Sequence, residues 1–164
     1  MGLVKEMSIM DNMILGYHRE SDFCRKSGLL EKKSIFRYAQ KLKDKFQVKA
    51  PNVEAAVSSL SGGNQQKLII GRTLLHQSNI IVAAQPTRGV DVGATEFIRQ
   101  RLVEMRDEGN GVILVTSDLN EVLGLSDSLI VMYEGRIVAY ISDTSKMTEA
   151  QLGTYMLGIR VQSE

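Results

Sequence analysis

Leu60-Ser61-Gly62-Gly63-Asn64-Gln65-Gln66-Lys67 is the stretch on which the reading of this 164-residue chain turns. A serine and two glycines stand directly before Leu68, Ile69, Leu74 and Leu75, an apolar, helix-forming run. A helix starting there leaves several backbone N–H groups without intrahelical partners. Together with the positive end of the helix dipole, they suit an anion such as phosphate. Glycine lets the main chain approach such a ligand closely, and Ser61 adds a hydroxyl. Taken alone, the same residues also fit a plain serine cap after a glycine turn.

A second block follows about twenty residues on. Asn79-Ile80-Ile81-Val82-Ala83-Ala84-Gln85-Pro86-Thr87-Arg88-Gly89-Val90-Asp91 reads as a short apolar strand, a Pro/Gly turn and a trailing aspartate. LSGGNQQK, a strand and then PTRGVDVGA together resemble the second half of an ABC-transporter nucleotide-binding domain. The GGNQQK and PTRGVD variants are most similar to the ATP-binding subunits of bacterial sugar and nucleoside importers, and more narrowly to the second of two ATPase halves fused in those subunits. The resemblance runs over nearly the whole chain. It implies an α/β fold, the distal part of a P-loop NTPase (RecA-like) nucleotide-binding domain with a helical subdomain.

Composition is compatible with this. Hydrophobic residues make up 43% of the chain, ordinary for a globular protein, and net charge is +1, which gives no case for nucleic acid. Charge is uneven: residues 1–49 carry 11 basic and 6 acidic side chains, and residues 50–164 carry 9 and 13. The basic first third suits a solvated helix face, or else an acidic partner or anionic lipid. Cys24 is the single cysteine, which excludes an intrachain disulfide, and with only His18 and His76 no zinc set is expected. No apolar run approaches the roughly twenty residues needed to cross a bilayer.

Along the chain, residues 2–15 are apolar and methionine-rich, with Asp11 a candidate helix cap. Residues 31–46 read as an amphipathic helix with Ile35, Ala39, Leu42 and Phe46 on one face, and Lys33, Arg37, Lys41 and Lys45 on another. Val53 to Leu60 reads as a short helical approach to the glycine stretch. From Asn79 strands and helices alternate: strand 80–84, helix 92–108, strand 112–116, a helix after Asp118-x-x-Glu121, a hairpin of 128–133 and 136–141, and a last helix capped by Thr148-x-x-Gln151. Such alternation implies parallel pairing. The expected division is a helical subdomain at 1–76, ending in the signature helix, and the C-terminal part of the RecA-like core at 77–164.

Hydrolysis in P-loop enzymes needs a glycine-rich loop with a lysine on the phosphates, an acidic residue at a strand end for Mg²⁺, and a group that orients water. No G-x-x-x-x-G-K-[ST] string occurs in the chain. In the family that loop lies upstream of the signature, so the sequence reads as a fragment that begins past it. The family's Asp-Glu-Pro-Thr is matched by Ala84-Gln85-Pro86-Thr87, and its switch histidine by Ser117. Alanine cannot orient magnesium's water shell, and glutamine is a very poor base. These departures imply no catalytic residue and no metal ligand in the chain's own site.

The signature stretch, in contrast, fits its pattern. By resemblance, Ser61, Gly62, Gly63 and Gln65 would donate to the γ-phosphate of ATP held by a partner domain, with Asp91 reaching across the same interface. Arg88 suits a surface ion pair better than a phosphate contact. ATP and Mg²⁺ are thus expected in a full dimeric assembly, and no cofactor for the isolated chain. The implied partners are a second nucleotide-binding domain, membrane permease subunits and, indirectly, a solute-binding protein, at the cytoplasmic face of a bacterial membrane. Two rival readings stand beside this one: a soluble ABC-type ATPase of repair or translation, and a non-enzymatic, truncated interaction module.

Overall fold

A computed structural model describes residues 2–74 and 79–162. The expected helical positions Leu75 and His76, with the subdomain boundary placed at residue 76, lie outside the described residues. The chain forms two compact units, residues 1–79 with 87–98, and residues 80–86 with 99–164.

The first unit is built on helices. α1 (Ile9–Met13) is capped by Ser8, whose hydroxyl accepts from the Asp11 N–H. The expected cap, Asp11, instead sits in the first turn, where its carboxylate accepts from the Ser8 hydroxyl at 2.5 Å. Ser8 takes the capping position because its backbone is the extended residue before the helix. α2 (Lys32–Lys45) buries Ile35, Ala39 and Leu42, the face its periodicity predicts. The expected helical approach of residues 53–60 is reduced to a single 3₁₀ turn, Val57–Ser59. Its backbone is used elsewhere: Ala55 and Val53 carbonyls accept from Ile9 and Met10, and Val57 and Ser58 donate to Met7 and Lys5. A segment paired in that way cannot also close its own i→i+4 bonds.

α3 (Gly62–Leu74) follows directly. Leu68 of this helix joins Ile9, Met13, Ala39, Leu42, Phe46 and Val57 in one core, with Phe97 packed against it. Asn12 is fully buried within the unit, where its side chain accepts from Val4 N–H and donates to the Val4, Met7 and Ser8 carbonyls. Gly71 of α3 makes room for the Phe46 ring, since a Cβ there would stand 2.9 Å from it.

The second unit carries the strands. β1 (Ile80–Ala84) precedes α4 (Val92–Asp107), whose first part belongs to the other unit. β2 (Gly111–Val115) pairs with β1 in parallel, Val82 opposite Ile113 and Ala84 opposite Val115. α5 (Leu119–Leu125) is followed by β3 (Leu129–Tyr133) and β4 (Arg136–Ile141). β3 and β4 form an antiparallel hairpin, turned by Glu134 and Gly135, both with positive φ. α6 (Glu149–Met156) starts with the predicted capping box: Thr148 accepts from Gln151 N–H, and the Gln151 side chain accepts from Thr148 N–H. Leu152 and Tyr155 of α6 pack on Leu129, Val131, Val138 and Ala139. Strand and helix ends differ from the expected ones by a residue or so, as fraying ends do. Among the described residues no helix is long and apolar enough to cross a membrane.

Candidate functional site

The glycine stretch stands at the start of α3. Ser61 and Gly62 are exposed, Gly63 is buried, and Asn64 to Lys67 are half-buried. Ser61 caps locally: its oxygen accepts from the Asn64 side chain at 2.9 Å and from Asn64 N–H at 3.4 Å. Asn64 in turn accepts from Lys49 N–H at 2.7 Å, which ties the loop before the signature to its first turn. Gln65 donates through its side-chain amide to the Leu60 carbonyl at 2.9 Å. That bond uses one of its two amide hydrogens and fixes the chain entering the glycines.

The second motif meets the first in this unit. A Cβ built on Gly63 would lie 2.7 Å from Asp91 Oδ2 and 3.1 Å from Ala94 Cβ, and one on Gly62 would be 3.5 Å from the Gly89 carbonyl. Asp91 Oδ1 accepts from Ala94 N–H at 2.9 Å and so caps α4. Gly63 is therefore required by packing, because its missing Cβ leaves the space the Asp91 carboxylate occupies. The two stretches that are 28 positions apart in sequence become one surface. Arg88 in the turn is exposed, and among the described residues it makes no ion pair, contrary to the surface pairing expected of it.

In the second unit, the strand-end positions Ala84 and Gln85 and the following-strand position Ser117 are brought together. Gln85 has a φ of 49°, a left-handed conformation uncommon for a residue with a side chain. Its N–H donates to the Val115 carbonyl at 2.7 Å, and its side-chain amide lies 3.4 Å from the Ser117 hydroxyl. This is a neutral pair in which neither group is a base. Beyond Ser117, Asp118 caps α5 by accepting from Asn120 and Glu121 N–H groups. Glu121 does not complete a capping box; its carboxylate is buried, with Oε1 3.9 Å from Arg99 Nε, and Arg99 also stands 3.8 Å from Asp118. Spacing shows a cap at Asp118 but not the Arg99 neighbour, some twenty residues earlier in the sequence. Among the described residues no His, Cys, Asp or Glu cluster of metal-binding form occurs.

No family model matches the chain. Curated proteins do. The chain is 40% identical over 157 residues to the guanosine import ATP-binding protein NupO of Bacillus subtilis, covering 96% of this chain and 30% of that protein. It is 38% identical to the nucleoside import ATP-binding protein NupA of Lactococcus lactis, covering 96% and 31%. A xylose import ATP-binding protein of Geobacillus kaustophilus is 40% identical, covering 83% and 26%. The chain thus spans about 30% of the length of the curated relatives it matches. Among solved structures, the ATP-binding cassette MJ1267 of an ABC transporter aligns with a TM-score of 0.72 at 22% identity, over 94% of this chain and 63% of that one. The cassette MJ0796, as a dimer bound to ADP and Pi, aligns at 0.65 and 23%, over 84% and 57%. The chain has the α/β fold of an ABC-transporter ATP-binding cassette over part of that cassette's length, and its sequence is similar to part of the ATP-binding proteins of nucleoside and sugar importers.

Proposed function

We propose that this chain is the C-terminal portion of the second nucleotide-binding half of an ABC import ATPase for nucleosides or sugars, and that it lends its signature loop to a partner's ATP. Residues 1–76 would serve as the helical subdomain, and 77–164 as the distal part of the RecA-like core. The observation that carries the reading is the exposed Ser61-Gly62 pair at the start of α3, with Gly63 seated against Asp91 behind it. Exposed N–H donors at a helix start, held from behind, can face a triphosphate presented by another protomer. Relatives whose names describe guanosine, nucleoside and xylose import support the solute class.

The chain's own half is read as non-hydrolytic. Ala84 offers no carboxylate for Mg²⁺, and the Gln85–Ser117 pair can hydrogen-bond a water without removing its proton. ATP and Mg²⁺ would be held by the partner half. Closure of the two halves would then be passed through the helical subdomain to membrane permease subunits at the cytoplasmic face, supplied with solute by a binding protein. In an assembly that contains the phosphate-loop partner, Ser61→Arg is expected to suppress ATP hydrolysis at the opposite site while leaving the partner's ATP binding in place. Undiminished turnover would count against the role in trans. Calorimetry of the isolated chain with Mg-ATP is expected to show no binding at millimolar nucleotide, and a saturable heat would contradict the absence of a cradle.

A further inference from the structure

The hydrogen bonds around Ser61 run in one direction. Lys49, in the loop after α2, donates its backbone N–H to Asn64 Oδ1 at 2.7 Å. Val48 just before it is buried in the core of the unit and donates its own N–H to the Lys43 carbonyl, so the Lys49 donor is fixed in place. A backbone N–H can only donate. The amide oxygen of Asn64 must therefore face Lys49, and its amide nitrogen faces the other way. There Asn64 Nδ2 donates to Ser61 Oγ at 2.9 Å, and the Asn64 N–H reaches the same oxygen at 3.4 Å. An ordinary serine cap makes its good bond to the backbone N–H two or three residues on. Here the backbone bond is the long one and the side-chain bond the short one, so Asn64 does more to Ser61 than capping a helix requires.

We propose that Asn64 is a positioning residue of the site lent in trans, a role that rests on the reading given above, and that it turns the Ser61 hydroxyl hydrogen outward. A hydroxyl carries one hydrogen and two lone pairs. With both Asn64 donors on its oxygen, Ser61 has only its hydrogen left to offer, and among the described residues no acceptor takes it. Ser61 is exposed, so that hydrogen faces whatever meets the helix start. The phosphate oxygens of an ionised triphosphate are acceptors. The polarity that begins at Lys49 N–H thus ends in a donor aimed at an anion, and Ser61 need not reorient when the partner's ATP arrives. Donors fixed before charge develops in a transition state require no reorganisation at the moment of reaction. Asn64 does not itself touch the nucleotide; it acts through Ser61.

The test is a double-mutant cycle in the assembly that contains the phosphate-loop partner, read as kcat and KM for ATP hydrolysis, with melting curves to monitor folding. Ser61→Ala is expected to lower kcat about tenfold or more, and Asn64→Ala to lower it about tenfold. KM for ATP should change by about twofold at most in each, because the partner half binds the nucleotide. In the Ser61→Ala background, adding Asn64→Ala should leave kcat where it was, since no hydroxyl is left to aim. Asn64→Asp keeps the shape and the bond from Lys49 but cannot donate, so the Ser61 hydrogen turns inward to the carboxylate. It is expected to lower kcat at least as far as Asn64→Ala does. An Asn64 that only held the loop would lower kcat by the same factor with or without the Ser61 hydroxyl. That result, or unaltered kcat in either Asn64 variant, would overturn the assignment while the loss in Ser61→Ala upheld the role in trans. Undiminished kcat in Ser61→Ala would overturn the role in trans, and the assignment of Asn64 with it.

Discussion

Gly63 shows how much one absent methyl group decides. Its missing Cβ leaves the space that the Asp91 carboxylate fills, 2.7 Å from where the Cβ would be, with Ala94 close behind at 3.1 Å. Asp91 is also the acceptor that caps α4. Gly63→Ala must therefore displace the carboxylate, loosen the cap and press on Ala94. It is expected to cost about 1–3 kcal/mol of stability, the range for overpacking together with a weakened cap. Gly62→Ala has only the Gly89 carbonyl nearby at 3.5 Å, an ordinary contact, and is expected to change stability little. Urea melts of the two variants separate them; equal losses would mean that the Gly63–Asp91 contact carries no weight.

At the scale of single elements, α6 rests on a reciprocal cap. Thr148 and Gln151 satisfy each other's backbone donors, and Leu152 and Tyr155, one turn further on, bury against the hairpin. Thr148→Ala removes the acceptor for Gln151 N–H and is expected to cost about 1 kcal/mol. Thr148→Ser keeps the hydroxyl and should recover most of it, and thermal melts of both variants check the point. If serine fails to recover stability, the loss belongs to the threonine methyl and its packing, and the cap is not what holds the element.

For the whole chain, the strands present apolar faces to solvent. Among the described residues the strands form two sheets of two strands each, and an isolated pair of strands is marginal in water. One face of the parallel pair leaves Ile80, Val82, Ile113 and Val115 more than half exposed, and the hairpin leaves Ile130, Met132 and Ile137 similarly bare. Apolar faces of that kind associate. The isolated chain is expected to self-associate with rising concentration in sedimentation velocity. Val82→Thr with Ile113→Thr, a facing pair in the register, should shift it toward monomer without loss of β propensity. Sedimentation independent of concentration in the unaltered chain would refute this.

The sequence by itself determined the elements and the fold type. The α2 face, the start of α3, the strand before Pro86, the hairpin turn and the Thr148 box are local patterns, each written within a few neighbouring residues and so readable from them. Asp118 as a cap was legible for the same reason. Tertiary structure alone decided what such patterns do at a distance. It made Ser8 the cap and left Asp11 to answer it, because capping depends on which residue is extended when the chain enters the helix. It unwound the expected helix at residues 53–60, whose backbone groups pair with residues 5–10. It buried Asn12, set Arg99 beside Glu121, turned Gln85 left-handed toward Ser117, and seated Asp91 against Gly63. Apart from the Ser8–Asp11 exchange and the bonds of Asn12 to residues 4–8, each of these is a contact between residues far apart in the chain or a backbone state imposed by one, and spacing along a sequence holds no record of what the folded chain brings alongside.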